Sequence, residues 1–149
     1  MFRPALPVGL AVMNLPPLPP DAPALPAGLA SSLAGLPVLD VAAGLGLAGG
    51  RARLYRIVLQ GLAEHHDVDV DLLQQALAAQ RWDDAERVAH TLKGISAQAG
   101  GARVRLLAEA MQFAVARREP PEHLGALQAS LRRELPALLR AVADQLRAP

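Results

Sequence analysis

From Val38 to Leu146 apolar and polar residues alternate with a helical period, and the pattern is interrupted at glycine and proline pairs. Val38 to Ala48 (VLDVAAGLGLA) reads as a short first helix, weakened by Gly44 and Gly46 and ended by Gly49-Gly50. A second helix is expected from Arg51 to His66, with Leu54, Tyr55, Val58, Leu59 and Leu62 as its apolar stripe. Asp67, Asp69 and Asp71 mark the entry to a third, whose inward face is Leu72, Leu73, Ala76 and Leu77. Carboxylates suit a helix N-terminus because the helix dipole is positive there. The fourth helix spans Arg81 to Ala99, with Trp82, Ala85, Val88, Ala89, Leu92, Ile95 and Ala99 gathered on one side at 100° per residue. After Gly100-Gly101 a fifth follows, with Val104, Leu107, Ala108 and Met111 inward. Pro120-Pro121 end it and open a last helix to about Leu146, in which Pro136 predicts a kink or a break. Short connections make neighbouring helices antiparallel, so the expected fold is an all-α, up-down antiparallel helical bundle.

Residues 1–37 carry a different pattern. They hold nine of the thirteen prolines, including Pro16-Pro17 and Pro19-Pro20. Proline fixes φ and donates no amide hydrogen, so this segment is expected to be an extended, irregular tail or linker. A docked proline-rich ligand is the alternative, but no basic residue flanks the prolines usefully. The opening MFRPALPVGLAVM imitates a signal peptide only faintly, since two prolines interrupt its short apolar run and no clean cleavage site follows.

Composition narrows the picture. Hydrophobic residues make up 52% of the 149 residues but aromatics only 3%, so the core is expected to be leucine, alanine and valine. Such a core favours helices over strands, which draw on β-branched and aromatic side chains. The net charge of +1 leaves no nucleic-acid footprint. The absence of cysteine removes disulfides, thiol catalysis and cysteine-based zinc sites, and it fits a cytoplasmic protein. No apolar run approaches the roughly 20 residues of a membrane helix, so no membrane insertion is expected.

The chemistry concentrates on the outer stripe of the fourth helix. His90 lies about 160° from both Val88 and Leu92, and shares the solvent side with Asp83, Glu86, Arg87, Lys93, Gly94 and Ala97. Lys93, the only lysine in the chain, is one turn beyond His90, and Gly94 sits beside it. Glycine inside a helix costs about 1 kcal/mol relative to alanine. An exposed imidazole, a lone ammonium and a missing side chain describe a nucleophile with a cation and an open approach. Across the hairpin folded at Gly100-Gly101, His90 is ten residues before Gly100 and Gln112 twelve after it. These distances, about 15 and 18 Å along the helices, place the two side chains nearly level. Gln112 can then hydrogen-bond one ring nitrogen of His90 and leave the other unprotonated.

Ala89-His90-Thr91-Leu92-Lys93-Gly94, followed by Gly100-Gly101, resembles the signature of the histidine-containing phosphotransfer (HPt) domain family. The resemblance covers roughly residues 38 to 147, with Leu39-Asp40, Gly44-Leu45, Gly49-Gly50 and Tyr55 joining in. It implies a four-helix core with an additional short N-terminal helix over residues 38–149, preceded by the tail of residues 1–37. It implies that His90 accepts a phosphoryl group from the aspartyl phosphate of a response-regulator receiver domain, within a relay fed by a hybrid sensor histidine kinase. Lys93 would face the phosphoryl oxygens, Gln112 would orient His90, and Arg87, Gly94 and Ala97 would meet the partner. The implied protein is a monomeric phosphoryl carrier, not an enzyme; it binds no cofactor itself, and Mg²⁺ is supplied by the receiver. The alternative is a helical interaction module that binds a receiver or another partner without being phosphorylated. The sequence departs from the family pattern at Ile95-Ser96, at Val104 where leucine is usual and at Leu62 where phenylalanine is usual. These are core-type changes that alter packing before chemistry.

The other polar features read as structural. His65-His66 are expected to interact with the carbonyl end of the second helix, because adjacent helical residues point about 100° apart and rarely share an ion. His123, Arg117-Arg118 and Arg132-Arg133 read as solvated, and Trp82 as a core anchor. No Ser/His/Asp arrangement and no glycine-rich phosphate loop with a lysine occurs, which disfavours a hydrolase or a nucleotide-binding enzyme.

Overall fold

The computed structural model describes residues 24–148, and every regular element among them is an α-helix. The signal-like stretch and the proline pairs at 16–17 and 19–20 lie outside the described residues. The helices are α1 (Ala27–Ala34), α2 (Val41–Leu47), α3 (Ala52–His65), α4 (Asp69–Ala78), α5 (Trp82–Ala99), α6 (Ala102–Ala116) and α7 (Pro121–Arg147).

The bundle has four antiparallel legs, because α3 and α4 form one leg end to end. Arg56, near the start of α3, donates to the Leu146 carbonyl at the far end of α7 (2.6 Å). Val70, at the start of α4, accepts from Gln128 in the first half of α7 (2.8 Å), and Arg132 one turn further along pairs with Asp71 (2.9 Å). Passing from α3 to α4 therefore means going back along α7. The remaining legs are α5, α6 and α7, and the core between them is the expected leucine–alanine–valine mixture. Leu59, Leu62, Leu73, Leu92, Leu107, Met111, Leu127, Leu131, Leu135 and Leu138 are buried completely or nearly so.

Several expectations are corrected. Residues 1–37 are expected to be irregular throughout, yet Ala27–Ala34 forms a helix. Pro26, with φ −52°, sits at its N-cap, where a missing amide costs nothing, and the run AGLASSLA contains no proline. Leu33 is buried and Leu25 and Leu29 pack on the core, so tertiary contact holds this short helix in place. The helix expected from Val38 starts at Val41, because the Asp40 side chain caps it by accepting from the Ala43 amide (3.0 Å). Leu54 and Leu72, assigned to apolar stripes, are 38% and 43% exposed. Pro136 does not break α7. Its ring removes one backbone hydrogen bond, and buried Leu135, Leu138 and Val142 hold the helix down on both sides.

Several polar side chains have partners that the sequence pattern does not name, and Arg132 is not solvated as expected. His66 is the C-cap residue of α3, with His65 in its last turn, and its Nδ1 also bonds Asp69 Oδ2 at 2.8 Å, closing the corner between α3 and α4. Burial pushes the Asp69 carboxyl above its ordinary value, while His66 opposes the shift through its hydrogen bond and charge. Arg132 is mostly buried against Asp71 and Gln74. Arg103 grips Glu134 through two bonds (2.9 and 2.6 Å), and its remaining nitrogen reaches the Leu33 and Leu36 carbonyls, tying α1 to the bundle.

The end of α5 is the most constrained point. Gly100 adopts φ +90° and terminates the helix in the left-handed conformation. A side chain there would collide with the Asp40 carbonyl. The Gly100 carbonyl in turn accepts from the Asp40 amide at 2.7 Å. Tyr55 Oη donates to the Ala99 carbonyl at 2.6 Å, and burial raises the phenol above its ordinary pKa, so it stays a donor. Gly44 is packed so closely on Tyr55 and Ala99 that no side chain fits.

Two predictions follow from this end of the bundle. Tyr55→Phe strands the buried Ala99 carbonyl and should cost about 1–2 kcal/mol in urea unfolding. A change of only a few tenths would show that the bond carries no stability. Gly100→Ala should cost more, at least about 2 kcal/mol, since it adds a positive-φ penalty to a backbone collision.

Candidate functional site

The α5–α6 hairpin sets the site. Gly101 N–H bonds the Ser96 carbonyl at 2.8 Å, and Gly100 N–H bonds the Ala97 carbonyl at 3.2 Å, which satisfies the last turn of α5 and reverses the chain. From this turn the two helices run back side by side, with Leu92 and Ala89 on α5 and Ala108 and Met111 on α6 all buried. The same periodicity that buries them turns His90 outward.

His90 is exposed, and its Nδ1 lies 3.2 Å from Gln112 Nε2. The two residues that counting from Gly100 puts level are thus in contact. With the amide nitrogen facing the ring, Gln112 donates to Nδ1 and the imidazole proton sits on Nε2. Turning the amide over by 180° puts Oε1 in the same place, where it accepts from Nδ1–H and leaves the outward Nε2 with a free lone pair. Gln112 is half-buried, and its bond to the ring is exposed.

The other expected site residues divide into two groups. Lys93 is half-buried one turn from His90 and forms no ion pair among the described residues. Gly94 is exposed, and a Cβ added there would meet nothing within 4 Å; Ala97 is half-buried one turn further on. These three lie with His90 on one continuous face. Arg87, by contrast, is already engaged: its guanidinium pairs with Asp84 at 3.1 Å, one turn toward the start of the helix. Asp84 also pairs with Arg81 at 3.5 Å. Asp83 and Asp84 occupy the first turn of α5, as expected of carboxylates near a helix N-terminus.

Some surroundings were not foreseen in the sequence. Phe113, next to Gln112, is 57% exposed and carries the Arg117 guanidinium over its ring at 6.0 Å. Trp82 is only half-buried, and Arg118 stacks on it at 5.5 Å. Neither arginine is simply solvated. Ser96 is fully buried on the inner side of α5, with no partner for its hydroxyl among the described residues. An apolar period of 3.6 carries no signal for these contacts, because each depends on which helix lies opposite.

A sequence profile of the Hpt domain matches residues 57–148, a span that contains His90, Lys93, Gly94 and Gln112. No curated protein matches the chain. Among solved structures, the fold is similar to the crystal structure of the HPT domain from an Hpt sensor hybrid histidine kinase of Shewanella, with a TM-score of 0.67 and 25% sequence identity. The similarity covers 74% of this chain and 97% of that one. The all-helical bundle, the exposed histidine and the profile agree: this chain belongs to the Hpt domain family.

Proposed function

We propose that this domain is a phosphoryl carrier in which His90 takes a phosphoryl group from the aspartyl phosphate of a response-regulator receiver domain and passes it to a second receiver. The contact between His90 and Gln112 carries this reading. It supplies an exposed imidazole with one nitrogen held from below and the other open.

In the forward step Gln112 Oε1 accepts from Nδ1–H, so Nε2 is the free nucleophile. Nε2 attacks phosphorus, the bond from phosphorus to the aspartate oxygen breaks, and the carboxylate leaves with the bonding pair. The ring keeps its Nδ1 proton, and the positive charge it gains is stabilised by the Gln112 oxygen. Lys93 meets the phosphoryl oxygens, whose charge is spread over three atoms in the transition state. Gly94 and Ala97 keep the surface beside Nε2 low, so the receiver approaches in line. Arg87, already paired with Asp84, contributes to the rim of the contact and not to the reacting group. The Mg²⁺ that such a step requires belongs to the carboxylate pocket of the receiver. A hybrid sensor histidine kinase, the kind of protein whose HPT domain shares this fold, is the natural upstream source.

Incubation with a phosphorylated receiver tests this. Wild-type protein should acquire a label that is acid-labile and stable in alkali, as a phosphohistidine is. His90→Gln should acquire none while keeping its helical circular dichroism. Equal labelling of the variant would remove His90 from the role, and binding without label on either protein would favour a module that only docks partners. Lys93→Ala should slow transfer about tenfold, equivalent to roughly 1.4 kcal/mol of transition-state stabilisation. Gln112→Leu should slow it as well and shift the His90 tautomer, read from its ¹⁵N resonances, away from the Nδ1–H form. An unchanged tautomer would show that Gln112 does not orient the ring.

A further inference from the structure

Gly61 stands in the middle of α3 and Gly94 in the middle of α5. Glycine weakens a helix interior relative to alanine, and proteins usually keep it there for crowding or for positive φ. Gly44 and Gly100 have those reasons. Gly61 and Gly94, like Gly28, Gly46 and Gly125, have neither: all have ordinary helical backbones, and a Cβ at any of them would meet nothing within 4 Å, so it is position that sets Gly61 and Gly94 apart. The fold itself would accept a side chain at each.

Their places in the bundle are related. The bond from Tyr55 Oη to the Ala99 carbonyl fixes the register of the neighbouring antiparallel helices α3 and α5. Six residues forward from Tyr55 is Gly61, and six back from Ala99 is Lys93; both steps are about 9 Å. Gly61 is therefore at about the height of Lys93 and Gly94. With packed helix axes about 8–10 Å apart, it lies roughly 10 Å from His90. Ile57 and Leu54, one and two turns back along α3, are 56% and 38% exposed.

Any globular partner whose reacting atom touches His90 must cover the surface around it. A specific interface takes about 800 Å² from each side, a disc of roughly 16 Å radius. Gly61 falls inside that disc. We propose that Gly61 is a specificity-determining position for the receiver. The side chains missing at Gly61 and Gly94 leave a shallow trough between α3 and α5 where the receiver surface seats, with Ile57 and Leu54 as apolar contacts along its wall. The inference rests on the phosphoryl-carrier reading and adds the side of His90 on which the receiver sits.

The test compares wild type, Gly61→Arg, Gly61→Gln and Gly125→Arg. Gly125 in α7 is an equally open helical glycine, on the leg that lies against α3, α4 and α6. All three variants should keep their helical spectrum, since no neighbour is met. Labelling by a phosphorylated receiver should fall at least tenfold in Gly61→Arg and less in Gly61→Gln, with Gly125→Arg unchanged. Direct chemical labelling by phosphoramidate, too small to need the trough, should be equal in all four. Receiver-dependent labelling of Gly61→Arg at the wild-type rate overturns the proposal. So does an equal loss in Gly125→Arg, which would make the effect one of added charge. A wild type that takes label from phosphoramidate but from no receiver fails the carrier reading itself, a result distinct from either.

Discussion

The site depends on the turn at Gly100. Its left-handed backbone ends α5, satisfies the last carbonyls and sets how many residues separate each level of α5 from its counterpart on α6. His90 meets Gln112 because ten residues back and twelve forward from this turn reach the same height. A shift of one residue in either helix would rotate one side chain by about 100° and separate the pair. The fold protects the turn from three sides. Asp40 bonds the Gly100 carbonyl, Tyr55 bonds the Ala99 carbonyl, and Leu138 packs against Gly101, where an added Cβ would lie 2.7 Å from it. The short α2 and the start of α3 thus act at a distance on His90, by holding the end of the helix that carries it.

This division of labour places the chemistry on a rigid element. His90 is exposed in the middle of an 18-residue helix whose inner side is buried against the legs on both flanks. Phosphoryl transfer suits this arrangement, since positioning and charge neutralisation supply most of its catalysis.

The helices and the central pair were legible in the sequence because both follow from local rules. Apolar period located α5, and counting residues from Gly100 placed Gln112 against His90. Features that rest on distant partners were not legible. Nothing around Arg103 announces Glu134 and the Leu33 carbonyl, which lie 31 and 70 residues away. Leu54 and Leu72 fit an apolar stripe but fall on its outer margin, and only the packing of α5 and α7 decides where that margin lies. The helix Ala27–Ala34 was hidden by the prolines around it. The His66–Asp69 pair was missed because a histidine at a helix end was read against the helix dipole, when a carboxylate three residues on offered a stronger partner. Gly61 carries the same signal as Gly94, a glycine inside an amphipathic helix, but no histidine beside it marks it as part of a site.

The most direct test of the carrier account is to locate the phosphate. Wild-type protein labelled by a phosphorylated receiver, digested at alkaline pH and mapped by mass spectrometry, should carry a single phosphoryl group on the peptide containing His90. The ³¹P resonance of the intact protein should be that of phosphate on the Nε2 of an imidazole. Phosphate on His65, His66 or His123, or on no histidine, would contradict the account.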